Sequence, residues 1–390
     1  MLLWPMISCT AGIDMLDTEL TVQTDLTAPV DECTLPCITV SGPDDVELTL
    51  RADGQLLDSG RLESGTLSLC PPQGSLTPST TVTIEQDDAP LLTTTLDVRP
   101  FGYAQGRTRS WGAPESLEWT ADWVLEPWPI LMPAEGTWYG DGITSPHLVG
   151  ERLYFSGRAI PGGPYILGTA EFDGAAVTEV SSVPLLEPAS GDWDAAGQVS
   201  PTLVQLDGEQ VLFFQGLGES ADVPVLGRAS TSDGTHWFTM DSSVYGDPLT
   251  DKISHPSALA EENDLIALWH LTESGSFGLS LSDDGGHSFT PSCIELPMRG
   301  KSPEVVWMAD RYLMTWATVA DGEEVIRWAE SLDGVRWRER DESILSAPSS
   351  LWTVGGLSNA QLISIDERPH LLLVGVSSGR QAFGLAAMSE

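Results

Sequence analysis

The chain is short of positive charge. Its 390 residues carry 18 lysines and arginines against 57 acidic residues, a formal net charge of −39. Two of those bases are lysines, Lys252 and Lys301. A field of that sign repels phosphodiester backbones and anionic headgroups, so nucleic acid is excluded as a partner. Long apolar runs are missing too: none approaches the roughly eighteen residues that a membrane-spanning helix needs. No long amphipathic helix pattern is visible. The acidic surface could take calcium, yet no twelve-residue Asp-rich loop with a closing Glu exists, so no metal or other cofactor is expected. No Gly-x-Ser-x-Gly elbow is present, which removes the usual setting for a nucleophilic serine.

Cysteine is sparse, with five in all. Cys33, Cys37 and Cys70 fall in one segment, and a bridge from Cys37 or Cys33 to Cys70 would staple two strands in an oxidising compartment. Cys293 stands apart and reads as a buried apolar thiol.

What the chain has in quantity is turn residues, 38 glycines and 27 prolines, between apolar runs of four to seven residues. These runs repeat. Five units open at Ser145-Pro146, Ser200-Pro201, His255-Pro256, Ser302-Pro303 and Ser358-Asn359. Successive second members, at 146, 201, 256, 303 and 359, lie 55, 55, 47 and 56 residues apart. Three units close on an Asp-Gly turn before an aromatic: Asp233-Gly234 with Trp237, Asp284-Gly285 with Phe289, and Asp333-Gly334 with Trp337. Unit one keeps Asp173-Gly174, and unit five stops at Met388-Ser389 where that turn would begin. A period near fifty residues made of short strands means a β-propeller, and five units mean five blades. The truncated fifth unit lacks an outer strand. Residues from Glu118-Trp119 to Leu125 should supply it, pairing near Met388 so that the ring has no open edge.

Ahead of the propeller, residues 31–102 alternate apolar and polar positions, as in Val46-Glu47-Leu48-Thr49-Leu50 and Thr81-Val82-Thr83-Ile84-Glu85, with Asp53-Gly54 and Asp87-Asp88 at turn positions. The expected fold is therefore all-β: a five-bladed propeller over 111–390 preceded by a small immunoglobulin-like β-sandwich. Residues 10–30, rich in Thr and Asp, read as a flexible tether. Residues 1–9 resemble the tail of a bacterial lipoprotein signal that ends on Cys9. That resemblance implies an envelope or secreted protein, attached to a membrane only through a lipid on Cys9, and a monomer is expected.

The segment Ser282 to Phe289 resembles the Asp box of sialidase-type propellers, and Thr231 to Trp237 and Ser331 to Trp337 resemble shorter relatives of it. Such aspartates cap turns and are structural. The repeat order over 111–390 resembles the five-bladed propellers of glycoside hydrolase families 43, 32, 68 and 130. The resemblance implies a glycan partner and carboxylates at the starts of the innermost strands. Those families place an Asp before the proline of the first blade, where this chain has Ser145.

Two rings of residues are expected at the axial mouth, two positions apart. The first is Ser145, Ser200, His255, Ser302 and Ser358. The second is His147, Thr202, Ser257, Glu304 and Ala360. Glu304 is the one carboxylate in either ring and the candidate general acid, with Asp141 or Asp194 reaching in from loops as the base. Lys252, Lys301 and Arg299 gather beside His255 and Glu304, where they could bind a sugar carboxylate or sulfate. Trp138 and Trp193, with Trp269, Trp307 and Trp352, recur at equivalent places or lie in apolar strands, so they pack in the core between blades or stack on sugar rings. No Arg occupies the axial slots, which argues against a sialidase. Two functions follow: a glycoside-hydrolase-like enzyme acting on a polysaccharide, or a non-catalytic propeller that binds a glycan or a protein.

Overall fold

The structure is a computed structural model. It describes residues 9–13, 20–24, 30–31, 33, 37–43, 45–63, 66–70, 80–96, 98–99, 101–102, 122–188, 193–218, 225–240, 253–294, 296–340, 343–346 and 352–389. The leader-like residues 1–8, the strand start at Glu118-Trp119, and Lys252 lie outside these. The chain divides into two compact units, Met1–Thr108 and Arg109–Glu390.

In the first unit, alternation translates directly into strands with one buried face. Ile38, Val40, Leu48, Leu50, Val82 and Ile84 are all buried, with polar neighbours turned outward. Asp53 and Gly54 both take positive φ, as do Asp87 and Asp88, and each pair closes a two-residue hairpin. Two antiparallel sheets result. One contains Gln55–Arg61, Glu47–Ala52, Thr80–Gln86 and Ala89–Leu96 in that order. The other runs Cys9–Ile13, Leu20–Thr24, Ile38–Ser41, Thr66–Leu69. Part of the expected tether is therefore strand: Leu20–Thr24 pairs with Ile38–Ser41, because Thr and Val alternate there and satisfy an edge. Cys37 bonds to Cys70, beside the facing pair Ile38 and Leu69.

The second unit is a propeller of five antiparallel sheets. The innermost strands are Gly142–Val149, Gly197–Leu206, Ser254–Ala260, Lys301–Met308 and Gly356–Ile365. Each touches the next, and the fifth touches the first, closing the ring. Sheets covered on both faces need no alternation, which explains continuous buried runs such as Val211–Phe214 and Leu371–Val374. Trp123–Leu125 pairs antiparallel with Arg380–Met388, Trp123 opposite Met388, and completes the last sheet. Ser389 N donates to Asp122 O and Glu126 N to Leu385 O. That alternation puts Val124 at a hydrogen-bonded position. Val124→Pro should therefore remove a ladder bond at the closure and cost about 1 kcal/mol, read as a lowered denaturant midpoint with unchanged slope.

The Asp-Gly turns are built alike. Asp233 Oδ1 accepts from the amides of Thr235 and His236, Asp284 Oδ1 from His287 and Ser288, and Asp333 Oδ1 from Val335 and Arg336. A hydroxyl two residues earlier, on Thr231, Ser282 or Ser331, donates to the same carboxylate. The turns also join blades: Gly285 O accepts from Arg228 Nε of blade two, and Gly334 O from Trp269 Nε1 of blade three. Burial alone would raise the Asp284 carboxyl, but the bonds from Ser288, Ser282 and His287 hold it down at about 2. Cys293 is half-buried and disulfide-bonded, so it is not the free buried thiol expected from its isolation in the sequence.

Candidate functional site

Each innermost strand carries a bulge near its start. Pairing shifts register between Thr144 and His147, Val199 and Thr202, Ser254 and Ser257, Lys301 and Glu304, and Ser358 and Gln361. Two residues then face one on the neighbouring strand. The first bulge residue takes positive φ in every blade: Ser145 (52°), Ser200 (53°), His255 (51°), Ser302 (50°) and Asn359 (44°). A side chain in that conformation costs about 1 kcal/mol or more, least for Asn. Proline follows in four blades because the bulge leaves its missing N–H unneeded.

This geometry corrects the fifth member of both rings. Asn359, not Ser358, matches Ser145, and Gln361, not Ala360, matches His147. In the fifth blade Asn-Ala stands where the others have Ser-Pro or His-Pro, so alignment on the hydroxyl was one residue early.

The second ring is His147, Thr202, Ser257, Glu304 and Gln361, all buried. Its members stitch neighbouring blades by one rule. Four of the five bond to the backbone one residue beyond the equivalent position of the next blade. Leu148 N donates to Gln361 Oε1 (2.7 Å), Ala258 N to Thr202 Oγ1 (3.0 Å) and Val305 N to Ser257 Oγ (2.8 Å). The His147 ring bonds the backbone of Leu203 in the same manner.

Glu304 departs from this pattern. Its carboxyl leans back to the Ser257 hydroxyl, and Oε2 stands 4.0 Å from His147 Nδ1. Blades one and four are not neighbours, so that distance crosses the axis: the channel is filled with side chains at this level. Burial pushes the Glu304 carboxyl well above the usual range, opposed by the Ser257 bond. Burial brings His147 down to about 4, opposed by its backbone bond. Burial thus favours the uncharged form of each, and 4.0 Å is too long for a hydrogen bond.

The two loop aspartates are engaged elsewhere. Asp141 Oδ2 receives Arg158 Nε (2.8 Å) and Nη2 (2.6 Å), and that guanidinium lies 5.0 Å from the Tyr165 ring centre. Asp194 is buried and accepts from Gln198 Nε2 at 2.6 Å. Neither hydrogen-bonds or ion-pairs with Glu304.

Of the first ring, Ser145, Ser200, Ser302 and Asn359 are buried while His255 is half-buried. Its backbone N–H donates to Gln215 Oε1, and its buried Nδ1 has no hydrogen-bond partner. Burial first, and the nearby Lys301 charge second, lower the His255 ring to about 4. Lys301 and Arg299 are exposed at the start of the next blade and just before it.

The tryptophans have a packing role. Trp138, Trp193 and Trp352 occupy equivalent places, each lying on two glycines of its own sheet: Gly157 and Gly168, Gly216 and Gly227, Gly375 and Gly384. A Cβ at any of these six would overlap an indole. Trp138 also stacks on Phe155 and Trp193 on Phe214, and the Trp138 indole N–H is held by Ser181 O. Trp269 is fully buried and Trp307 is 41% exposed.

His270 was not singled out in the sequence. The residue opposite each bulge is Phe155, Phe214, Trp316 or Leu373 in four blades, and His270 in blade three. It is buried, its Nε2 lies 3.2 Å from Ser280 Oγ, and burial lowers it to about 4 against a backbone bond at Leu271. The register of the bulges, carried across all five units, is the signal that would have found it. Among the described residues, no group of three or more His, Cys, Asp or Glu could hold a metal.

No family model matches the chain. An uncharacterized protein of Mycobacterium tuberculosis is 24% identical over 267 residues, 61% of this chain and 88% of its own length. Among solved structures, a glycosyl hydrolase from Bacteroides ovatus overlays with a TM-score of 0.54 at 14% identity, covering 68% of this chain and 92% of its own. A structure from work on family 130, described there as mannoside phosphorylases including hydrolases of β-1,2 mannosidic linkages in Candida mannan, gives 0.55 at 13% identity over 72% and 99%. A thermostable family-43 glycoside hydrolase gives 0.51 at 10% identity over 65% and 90%. At these identities the likeness establishes the fold: a β-propeller of the kind seen in glycoside hydrolases.

Proposed function

We propose that the propeller binds a glycan at the ends of its innermost strands without hydrolysing it, on a protein that works outside the cytoplasm. The observation that carries this reading is the supply of carboxylates. The five bulge positions hold Ser, Ser, His, Ser and Asn. Glycosidic hydrolysis by inversion needs an acid and a base about 6.5–9.5 Å apart with water between them. Glu304 has the raised pKa of an acid, but it is buried against His147 in a filled channel. Asp141 and Asp194, the candidate bases, are tied to Arg158 and Gln198. Disulfide bonding supports an oxidising compartment. The hydrolase fold of the structural neighbours supports a sugar as the partner.

A glycan array, run beside a hydrolysis screen on arabinans, xylans and uronic-acid polymers, tests this. Wild type and Glu304→Gln should retain the same glycans and release no sugar. Hydrolysis by wild type that falls by about a thousandfold or more in Glu304→Gln would instead make Glu304 a general acid, the second reading that its pKa favours.

A further inference from the structure

Blade three breaks the repeat at two adjoining places. Its bulge carries His255 where other blades carry Ser or Asn, and the residue opposite is His270 where others carry Phe, Trp or Leu. The His255 substitution is not explained by packing. Four of the five bulge side chains are buried, and His255 is the one left half-open. Its backbone is pinned by Gln215, while its ring makes no hydrogen bond among the described residues. A polar ring that takes a strained backbone and leaves a buried nitrogen unsatisfied loses free energy in the free protein. A ligand that hydrogen-bonds the open edge of the ring offsets part of this.

Lys301 identifies the charge of that ligand. It directly precedes Ser302, the equivalent of His255 in the adjacent blade, and it is close enough to act on the His255 ring. Lys301 and Arg299 form no ion pair among the described residues, although the chain has 57 acids for 18 bases. An exposed lysine that has no ion pair among the described residues, within electrostatic reach of an unsatisfied imidazole, makes a local positive spot. At 0.1 M salt the Debye length is about 10 Å, so the distant acids are screened while these neighbours are not.

We infer that His255 and Lys301, with Arg299 two residues before the lysine in the chain, form a subsite for a single anionic substituent on a sugar, a carboxylate or a sulfate. The inference rests on the glycan-binding reading and names the class of glycan. The lysine pairs with the anion and the imidazole donates to an anion oxygen or an adjacent hydroxyl. A long polyanion is not the ligand, because the remainder of the surface repels it.

The test is an array carrying oligogalacturonate, the same oligomer after carboxyl reduction, sulfated galactan oligomers, and neutral galactan, xylan and arabinan, followed by calorimetry on the hits. His255→Ser installs the residue of three other blades, and Lys301→Gln changes an exposed side chain, so both variants should fold. Charged oligomers should bind at least about tenfold more tightly than their neutral counterparts, and either variant should bring that ratio close to one. A preference for one charged probe alone, erased by the same variants, supports the subsite and says which anion it takes. Equal affinity for charged and neutral oligomers overturns the subsite while the glycan-binding reading stands. Retention of no glycan at all overturns both.

Discussion

Stability should rise as pH climbs from 4 to 6.5. Three histidines cause the rise. His147, His255 and His270 are held neutral with pKa values lowered to about 4, whereas the unfolded chain takes a proton near 6.5. The unfolded state then binds more protons, so stability is fully present above 6.5 and is lost as pH falls toward 4. For buried His147 and His270 the loss reaches about 3 kcal/mol each, and His255 adds in the same direction. Glu304 acts with the opposite sign. Its folded pKa is raised, so the folded state holds a proton that the unfolded state releases above about 4.5, and stability declines as pH rises toward the folded value. Between 4 and 6.5 three histidines outweigh one carboxyl, and the histidine contribution is complete above 6.5. Urea denaturation across pH 4 to 9 would show the rise, with Glu304 pulling the other way. Glu304→Gln should remove that opposing trend, and His270→Gln should weaken the rise by roughly a third. A pH-independent midpoint in wild type would mean that these groups are hydrated in the folded state.

Filling the floor beneath a tryptophan should be the most damaging single change in the propeller. Gly168 and Gly384 lie flat under Trp138 and Trp352, and a side chain at either would occupy the indole's volume. Gly168→Leu or Gly384→Leu is expected to cost about 3 kcal/mol or more, the range of severe overpacking. Trp138→Ala alone should cost a similar amount through the cavity it leaves. The double variant Gly168→Leu with Trp138→Ala should lose clearly less than the sum, with a coupling of about 1 kcal/mol or more. Strict additivity in thermal or denaturant unfolding would show that the two positions do not share this space.

The sequence disclosed those tryptophans as recurring features and left two roles open, packing between blades and stacking on a sugar. The glycines that receive Trp138 are visible too, but they lie 19 and 30 residues after it, and only strand pairing brings Gly157 and Gly168 together beneath one ring. Asp141 is a similar case. Its position before the first inner strand suggested a base, while Arg158, seventeen residues later, holds it across a hairpin. Closure through Trp123–Leu125 was legible, because a unit that lacks its last strand must find one elsewhere.

By itself, the sequence determined that this chain is all-β, that its larger part is a propeller of repeated units, and that its turns carry Asp-Gly. These are short-range matters: alternation, turn chemistry and a period need only neighbours along the chain. The tertiary structure decided which side chains meet at the axis. Glu304 rests on Ser257 and faces His147 across the channel, Asn359 and Gln361 take the places first given to Ser358 and Ala360, and His255 alone is left half-open. Those outcomes depend on a bulge that shifts register by one residue and on a ring that joins segments more than a hundred residues apart, and no local pattern encodes either.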